Sequence, residues 1–456
     1  MKKNEINMAE GPLLKKLIAF SIPLVLTGIL QILYSNADMV IVGKFAGNDP
    51  LAAVGATASL INICVGFFMG ISTGAGIVVA QFYGAQHEKE VRNAVHTSIA
   101  LGVVCGIILT ALGILLTPVL LRAFDTPENI FDLSAAYMRI YFLGATPSLI
   151  YNFGAAALRA IGDTKVSLYF LSISGIVNIL LNLLFVIVFK MSVSGVAIAT
   201  VISQVVSAVL IIIYMMRLKN WCRLVPRNIK IHPRLLSKIL LVGVPSALQA
   251  VVFSLSNSII QSGINSFGST VIAGNTAAMS IENLTYIAMN GISNSVATAS
   301  GQISGAGKVK RLNKLLVTGI LVVTACGLII NTVIFLFSSQ VLSIYTSDPA
   351  AIQAGITRIN TFAFTYFLCG IMEVVMGTLR GMGNAVLPML NSIIGSCLLR
   401  VVWVKFIFTA FPTLMVLYMC YPVSWIITIL AHLVCFFIVR HNFAKRLQTK
   451  MAAQDI

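Results

Sequence analysis

The sequence predicts an all-α integral membrane protein of twelve transmembrane helices, in two six-helix lobes related by a parallel, pseudo-two-fold repeat. Three observations predict it: a lipid-adapted composition, twelve apolar runs of span length, and short motifs that recur at a fixed shift. Of the 456 residues, 58% are hydrophobic and only 10% are charged, where a soluble domain carries about 25% charged residues. The mean hydropathy is +0.94. Residues 1–11 are polar, and the apolar run after them is far longer than a signal-peptide core, so it reads as a retained first span.

A bilayer core of about 30 Å takes roughly 20 apolar residues as helix. Runs of that kind cover residues 14–42, 51–82, 95–116, 135–160, 166–188 and 193–216, then 235–264, 271–303, 315–337, 352–379, 386–407 and 414–439. A basic, proline-containing stretch separates the two series. The expected organisation is therefore an N-terminal lobe (1–217), a basic cytoplasmic linker (218–234), and a C-terminal lobe with a cytoplasmic tail (235–456).

The net charge of +17 raises a nucleic-acid reading, which the placement of the charges excludes. With both termini in the cytoplasm, 24 of the 31 Lys and Arg fall in inward segments, from Lys2, Lys3, Lys15 and Lys16 to the C-terminal tail. Seven of these lie between Arg217 and Lys238. This is the positive-inside pattern of a polytopic membrane protein, in which basic residues hold short loops in the cytoplasm. The eight cysteines show no CxxC pair and lie mostly within apolar runs, where they act as small hydrophobes. The five histidines lack ligand spacing, so no resident metal or cofactor is expected.

Motifs recur at a shift of 221 residues: Gly70-Ile71-Ser72 as Gly291-Ile292-Ser293, Gln81, Gly84 and Ala85 as Gln302, Gly305 and Ala306, and Leu158-Arg159 and Gly162 as Leu379-Arg380 and Gly383. Pro23 pairs with Pro245 one residue off that register. Six spans per half is an even number, so both halves enter the membrane in the same direction, an arrangement used by alternating-access transporters.

Three of the fourteen acids fall within spans: Asp38, Glu282 and Glu373. A charge at mid-membrane costs about 2.5–3.5 kcal/mol on insertion scales, so each is a functional candidate. Gln31, Tyr34, Ser35 and Asp38 form one polar stripe at helical spacing. Asn178 and Asn182, four apart in an otherwise apolar run, share a helix face. Carboxylate with amide and hydroxyl oxygens is hard-cation chemistry that suits Na⁺; in a low-dielectric pocket the same carboxylate could carry H⁺ instead. Glu373 stands at the repeat position of Asn152, and Glu282 lies mid-span beside Asn283. With Asn257 and Gln261 of the seventh span, and Gln31 and Tyr34, these are the candidate cleft and substrate residues. Pro23 and Pro245 are candidate hinges, because proline removes a helix hydrogen bond and bends the chain. Glycines 66, 70, 74 and 76 are expected to permit close helix packing.

Gly11-Pro12-Leu13-Leu14-Lys15-Lys16, Ile22-Pro23-Leu24 and Ala37-Asp38-Met39-Val40-Ile41-Val42-Gly43 resemble the first helix of the multidrug and toxic compound extrusion (MATE) family, in its bacterial DinF-like branch. Leu158-Arg159-Ala160-Ile161-Gly162-Asp163 and the Gln81 and Gln302 helix ends are similar to that family's patterns too. The resemblance implies two lobes around a central cleft and antiport: export of small organic, often cationic, compounds driven by Na⁺ or H⁺ entry, by a monomer among membrane lipids. It also implies a cation site at Asp38, Asn178, Asn182 and Thr200. Some archaeal relatives have an acid where this chain has Asn182, and another branch has an acid on the seventh helix, where this chain has none.

The nearest rival is a flippase for lipid-linked saccharides of the same superfamily. It would be expected to need a strongly basic cavity, and basic residues within spans are few, chiefly Arg139, Arg400 and Lys405. An enzyme would need a nucleophile–base pair or metal cluster within the spans, and a primary pump would need a nucleotide-binding GxxxxGK[ST] loop. Neither pattern is present.

Overall fold

A computed structural model of the chain describes residues 6–452. Lys2 and Lys3 of the charge count lie outside these residues, as does the side chain of Lys450. The first half holds α1 (Leu13–Phe45), α2 (Asn48–Gly84), α3 (Glu88–Ala123), α4 (Glu128–Leu143), α5 (Ala145–Ala160), α6 (Lys165–Asn182) and α7 (Ser192–Arg217), with a π-helical stretch Leu183–Val188 continuing α6. The second half holds α8 (Pro233–Asn265), α9 (Ser269–Gly305), α10 (Val309–Leu336), the short α11 (Ser338–Leu342), α12 (Pro349–Phe362), α13 (Phe367–Gly381), α14 (Val386–Ser392), α15 (Leu399–Val402) and α16 (Leu414–Ala452). Two π-helical stretches, Ile393–Leu398 and Trp403–Phe408, flank α15 and make one span of Val386–Phe408.

Among the described residues, nine helical segments are long and apolar enough to cross a membrane, and the α12–α13 pair, bent by 50°, makes a tenth. The other two of the twelve runs fail that test for different reasons. Gly144 divides the fourth span into α4 and α5, each of 16 residues. The 37-residue α9 is long enough, but its Ser, Thr and Asn content lowers its hydropathy. Large apolar side chains stand on the outer surface of the spans as well as in the interior. Leu115, Ile329 and Leu321 expose 73%, 66% and 63% of their surface, as side chains that meet lipid tails should. Aromatic and aliphatic side chains such as Phe142, Leu149 and Phe153 fill the interior.

The helices divide into two compact units, one built on Leu26–Ala247 and the other on Asn7–Val25 and Leu248 onward. The sequence places the boundary at the basic linker; the unit boundaries fall instead inside α1 and α8, two residues past Pro23 and Pro245. Small residues explain why each helix is shared. In the first unit, a Cβ on Gly70 would meet Ala247 Cα at 2.5 Å, and one on Gly74 would meet the Gly243 backbone at 2.6 Å. In the second, a Cβ on Gly291 would meet Val25 N at 3.1 Å. The repeated glycines thus seat the exchanged half-helices. Gly76 packs closely on Ala156 in the same way, whereas nothing lies within 4 Å of a Cβ at Gly66.

The repeated Leu-Arg-x-x-Gly motif is a helix terminus. Gly162 and Gly383 have φ of +95° and +87°, a conformation glycine adopts without a side-chain clash. In both places the amide of Gly bonds the Arg carbonyl and the next amide bonds the Leu carbonyl, which closes the helix end.

Candidate functional site

In the first unit, α1, α6 and α7 bring four polar side chains together. The four-residue spacing of Asn178 and Asn182 puts both amides on one face of α6, and Asn182 Nδ2 donates to Asn178 Oδ1 at 3.2 Å. The same Nδ2 donates to Asp38 Oδ1 at 2.5 Å. Asn178 Nδ2 donates to Thr200 Oγ1 at 3.4 Å, and Thr200 Oγ1 donates back to the Val196 carbonyl at 2.9 Å. Asn178 and Asn182 are buried and Asp38 is half-buried. Among the described residues no cationic side chain lies within ion-pair distance of Asp38. Asn182 Oδ1 is buried with no hydrogen-bond partner. A buried acceptor left open beside an unpaired carboxylate is costly unless something positive fills the gap. Asn182 is also the residue at which α6 passes into π-helix, a distortion frequent at functional sites.

Two further side chains belong to this neighbourhood. Tyr137 and Tyr141 of α4 lie within electrostatic range of Asp38. No sequence motif marks them. Tyr34 donates to the Ser172 carbonyl at 3.5 Å, and Gln31 and Ser35 are exposed. Asn152 spends its amide on the Ser148 carbonyl one turn back, at 2.8 Å.

The second unit is built differently. Arg358 of α12 grips Glu282 of α9 with two bonds, Nε to Oε1 at 3.0 Å and Nη2 to Oε2 at 2.8 Å. Its Nη1 donates to Asn275 Oδ1 at 2.8 Å, which Tyr418 also bonds at 3.2 Å. Both charged residues are buried, and the guanidinium lies 4.8 Å from the Phe362 ring centre. Glu282 is therefore held in an interhelical clamp. Arg358 thus adds to Arg139, Arg400 and Lys405 as a basic residue within a span, and its position inside an apolar run is the sequence signal for it.

Arg400 of α15 is also buried, with 2% of its surface exposed. Its Nε donates to Ser424 Oγ at 3.2 Å, its Nη1 to Asn257 Oδ1 at 3.1 Å, and it lies 4.4 Å over the Tyr421 ring. The Glu373 carboxylate has Arg380 as its charged neighbour, while its main-chain carbonyl accepts from Ser293 Oγ at 2.7 Å. Arg380 in turn donates to Gln249 at 2.6 Å, and Gln249 to Ser392 at 2.7 Å. Gln261 bonds Asn265 and Asn275.

Both units also turn polar side chains outward within spans. Gln31, Ser35 and Asn36 are exposed on α1, Ser254, Asn257 and Ser258 on α8, and Thr276, Ser280, Asn283 and Asn294 on α9. Hydrocarbon offers such groups no partners, so faces of this kind line water.

A duplicated set of membrane helices, with a carboxylate–amide cluster buried in one half and water-facing polar stripes in both, defines a polytopic membrane transporter. The MatE family profile matches residues 23–184 and 245–404, and the chain belongs to that family of multidrug efflux transporters. The two matched segments begin at Pro23 and Pro245, so the family match itself contains the repeat. The chain is 30% identical over 385 residues to the probable multidrug resistance protein YoeA of Bacillus subtilis, covering 82% of each. It is 28% identical over 402 residues to the probable multidrug resistance protein NorM of Thermotoga maritima, covering 86% of this chain and 85% of that one. Among solved structures, a MATE protein in its bent conformation superposes with a TM-score of 0.88 at 22% identity, covering 98% of this chain and 99% of that one. A MATE protein in a straight conformation gives 0.87 at 23% identity, with the same coverage.

Proposed function

We propose that the chain is a cation-coupled antiporter that exports small organic compounds across a bacterial plasma membrane, as a monomer with both termini in the cytoplasm. The observation that carries this reading is the Asp38–Asn182–Asn178–Thr200 cluster, with its unpaired carboxylate and the buried, partnerless Asn182 Oδ1. Those oxygens form a hard donor set that suits Na⁺, and the same carboxylate offers H⁺ a binding place. Entry of the cation neutralises Asp38 and removes the penalty of a lone buried charge. That event takes place on α1, fifteen residues from Pro23, close to which α1 passes from one compact unit to the other. Charge neutralisation on one side of a proline bend is a means of coupling the ion to the helix that both units share. Existence of fold relatives in bent and in straight conformations fits such a hinge. One elementary charge crossing about 100 mV supplies about 2.3 kcal/mol, enough for roughly fiftyfold accumulation of exported solute.

The test is efflux of a cationic dye from right-side-out vesicles, with Na⁺ and pH gradients imposed separately. One of the two gradients should drive efflux, and Asp38→Asn should abolish the driven component. Full efflux by Asp38→Asn would remove Asp38 from the mechanism.

A further inference from the structure

The two halves can be compared residue by residue at the shift of 221. Tyr137, near Asp38, corresponds to Arg358; Thr200, bonded to Asn178, corresponds to Tyr421; and Ile179, adjacent to Asn178, corresponds to Arg400. Positions beside the acid–amide cluster of the first unit therefore hold two arginines and an aromatic ring in the second, where Ile259, Leu399 and Trp403 stand at the positions of Asp38, Asn178 and Asn182. A contact between the same two spans recurs, one residue off that register. Asn178 of α6 meets Thr200 of α7, and Arg400 of α15 lies over Tyr421 of α16. Each unit also ties this place to its exchanged helix, through Asp38 on α1 and Asn257 on α8.

The two arginines are not equivalent. Arg358 spends its charge on Glu282. Arg400 has neutral partners only, and among the described residues no carboxylate lies within ion-pair distance of it. The remaining acid of the second unit's spans, Glu373, has Arg380 as its charged neighbour. Arg400 is thus a buried cation without a counter-charge, and in a membrane span such a group is functional by default. It is not sealed off. Its partner Asn257 stands on the exposed polar stripe of α8, and Tyr421 is half-exposed. The α15 turn that carries Arg400 is flanked on both sides by π-helix, the distortion that also follows Asn182.

We infer that Arg400, with Asn257 and Tyr421, forms a receptor for the anionic group of an amphipathic organic compound. Its guanidinium donates to a carboxylate, sulfonate or phosphate oxygen, and the half-exposed Tyr421 ring, backed by the buried Trp425, takes the apolar body. The transporter's cargo then includes organic anions or zwitterions, not only cations. This deepens the reading of the chain as an exporter of small organic compounds and rests on it. An anionic lipid headgroup presents the same chemistry as a dissolved organic anion.

The test uses the full chain in nanodiscs, with Trp425 as reporter, because its ring lies 5.7 Å from that of Tyr421. Trp221→Phe and Trp403→Phe leave it the single tryptophan. Dansylglycine, an anion whose dansyl group accepts energy from tryptophan, is compared with its neutral amide. In phosphatidylcholine discs, dansylglycine is expected to bind at least about tenfold more tightly than the amide, the value of one charge-assisted contact. Arg400→Gln should bring dansylglycine down to the level of the amide, and Arg400→Lys should fall between. Asn257→Leu, on an exposed position that folding tolerates, should weaken the anion severalfold. If phosphatidylglycerol in the disc competes dansylglycine away, the receptor takes lipid headgroups; if it does not, the source is a dissolved anion. Equal binding of dansylglycine and its amide, or full dansylglycine affinity in Arg400→Gln, would overturn the inference. The binding assay needs no ion gradient. Failure here therefore leaves cation-driven dye efflux standing, and loss of that efflux leaves the Arg400 result standing.

Discussion

The helix faces around Asp38 in the first half and around Arg400 in the second lie among corresponding spans of the repeat, yet they solve opposite electrostatic problems. At Asp38, an acid is surrounded by amides and a hydroxyl, with one acceptor left open. Around Arg358 and Arg400, guanidinium groups are packed against rings, and a single carboxylate, Glu282, is tied to one of them by two bonds. What the halves share is backbone: the Leu-Arg-x-x-Gly helix ends and the Gly70 and Gly291 contacts with the exchanged half-helices. What they do not share is charge. The duplication keeps residues whose job is set by chain geometry and lets the buried charged and polar residues beside them diverge.

The largest expected effect breaks the comparison at its charged centre. Glu282→Gln leaves Arg358 buried and uncompensated, at a cost of about 3–5 kcal/mol, read as a large fall in the thermal unfolding midpoint in detergent. Adding Arg358→Met should recover most of that loss, because a buried pair replaced by apolar atoms is close to neutral. Asp38→Asn should behave in the contrary way and leave stability within about 1 kcal/mol of the parent, since it removes a lone carboxylate that no cation pairs. If Glu282→Gln and Asp38→Asn destabilise equally, the distinction between a structural clamp and an ion site is lost.

A smaller effect sharpens the shared part. Gly74→Val puts a branched side chain into the Gly243 backbone and should cost up to about 3 kcal/mol by overpacking. Gly66→Ala, with open space around its Cβ, should shift the midpoint by no more than about 0.5 kcal/mol, as substitutions away from packed contacts do. Both are scored in the same unfolding assay. A Gly74→Val protein as stable as the parent would mean that α2 and the start of α8 are not in backbone contact.

Much of this was legible in the residues because a bilayer imposes few solutions. Span length, apolarity and basic loops located all twelve spans, and the four-residue spacing of Asn178 and Asn182 put both amides on one face. The π-helical stretches, the division of the fourth span at Gly144 and the bend between α12 and α13 were not legible, since packing against neighbouring helices sets them. Tyr137 and Tyr141 reach the neighbourhood of Asp38 from a separate span, and no local pattern marks that approach. Arg358 is marked in the sequence only as a charge inside an apolar run. The exchange of half-helices was only half-visible. Pro23 and Pro245 gave the bends, but the glycine contacts that assign each half-helix to a unit are long-range.

The smallest effect tests whether the repeated helix ends are alike in more than sequence. Gly162 and Gly383 share a positive φ, so alanine at either should cost about 1–2 kcal/mol for the left-handed backbone. Asparagine tolerates that conformation better than alanine, and Gly383→Asn should therefore be milder than Gly383→Ala. Gly162 has a second constraint, because a Cβ there would run into the backbone of Ile6. That obstacle is the same for every side chain, so Gly162→Asn should destabilise as much as Gly162→Ala. The comparison of the four unfolding midpoints separates the conformational requirement, which both halves have, from the steric one seen at Gly162. If asparagine rescues both positions alike, the N-terminal segment does not press on Gly162, and the two helix ends are equivalent after all.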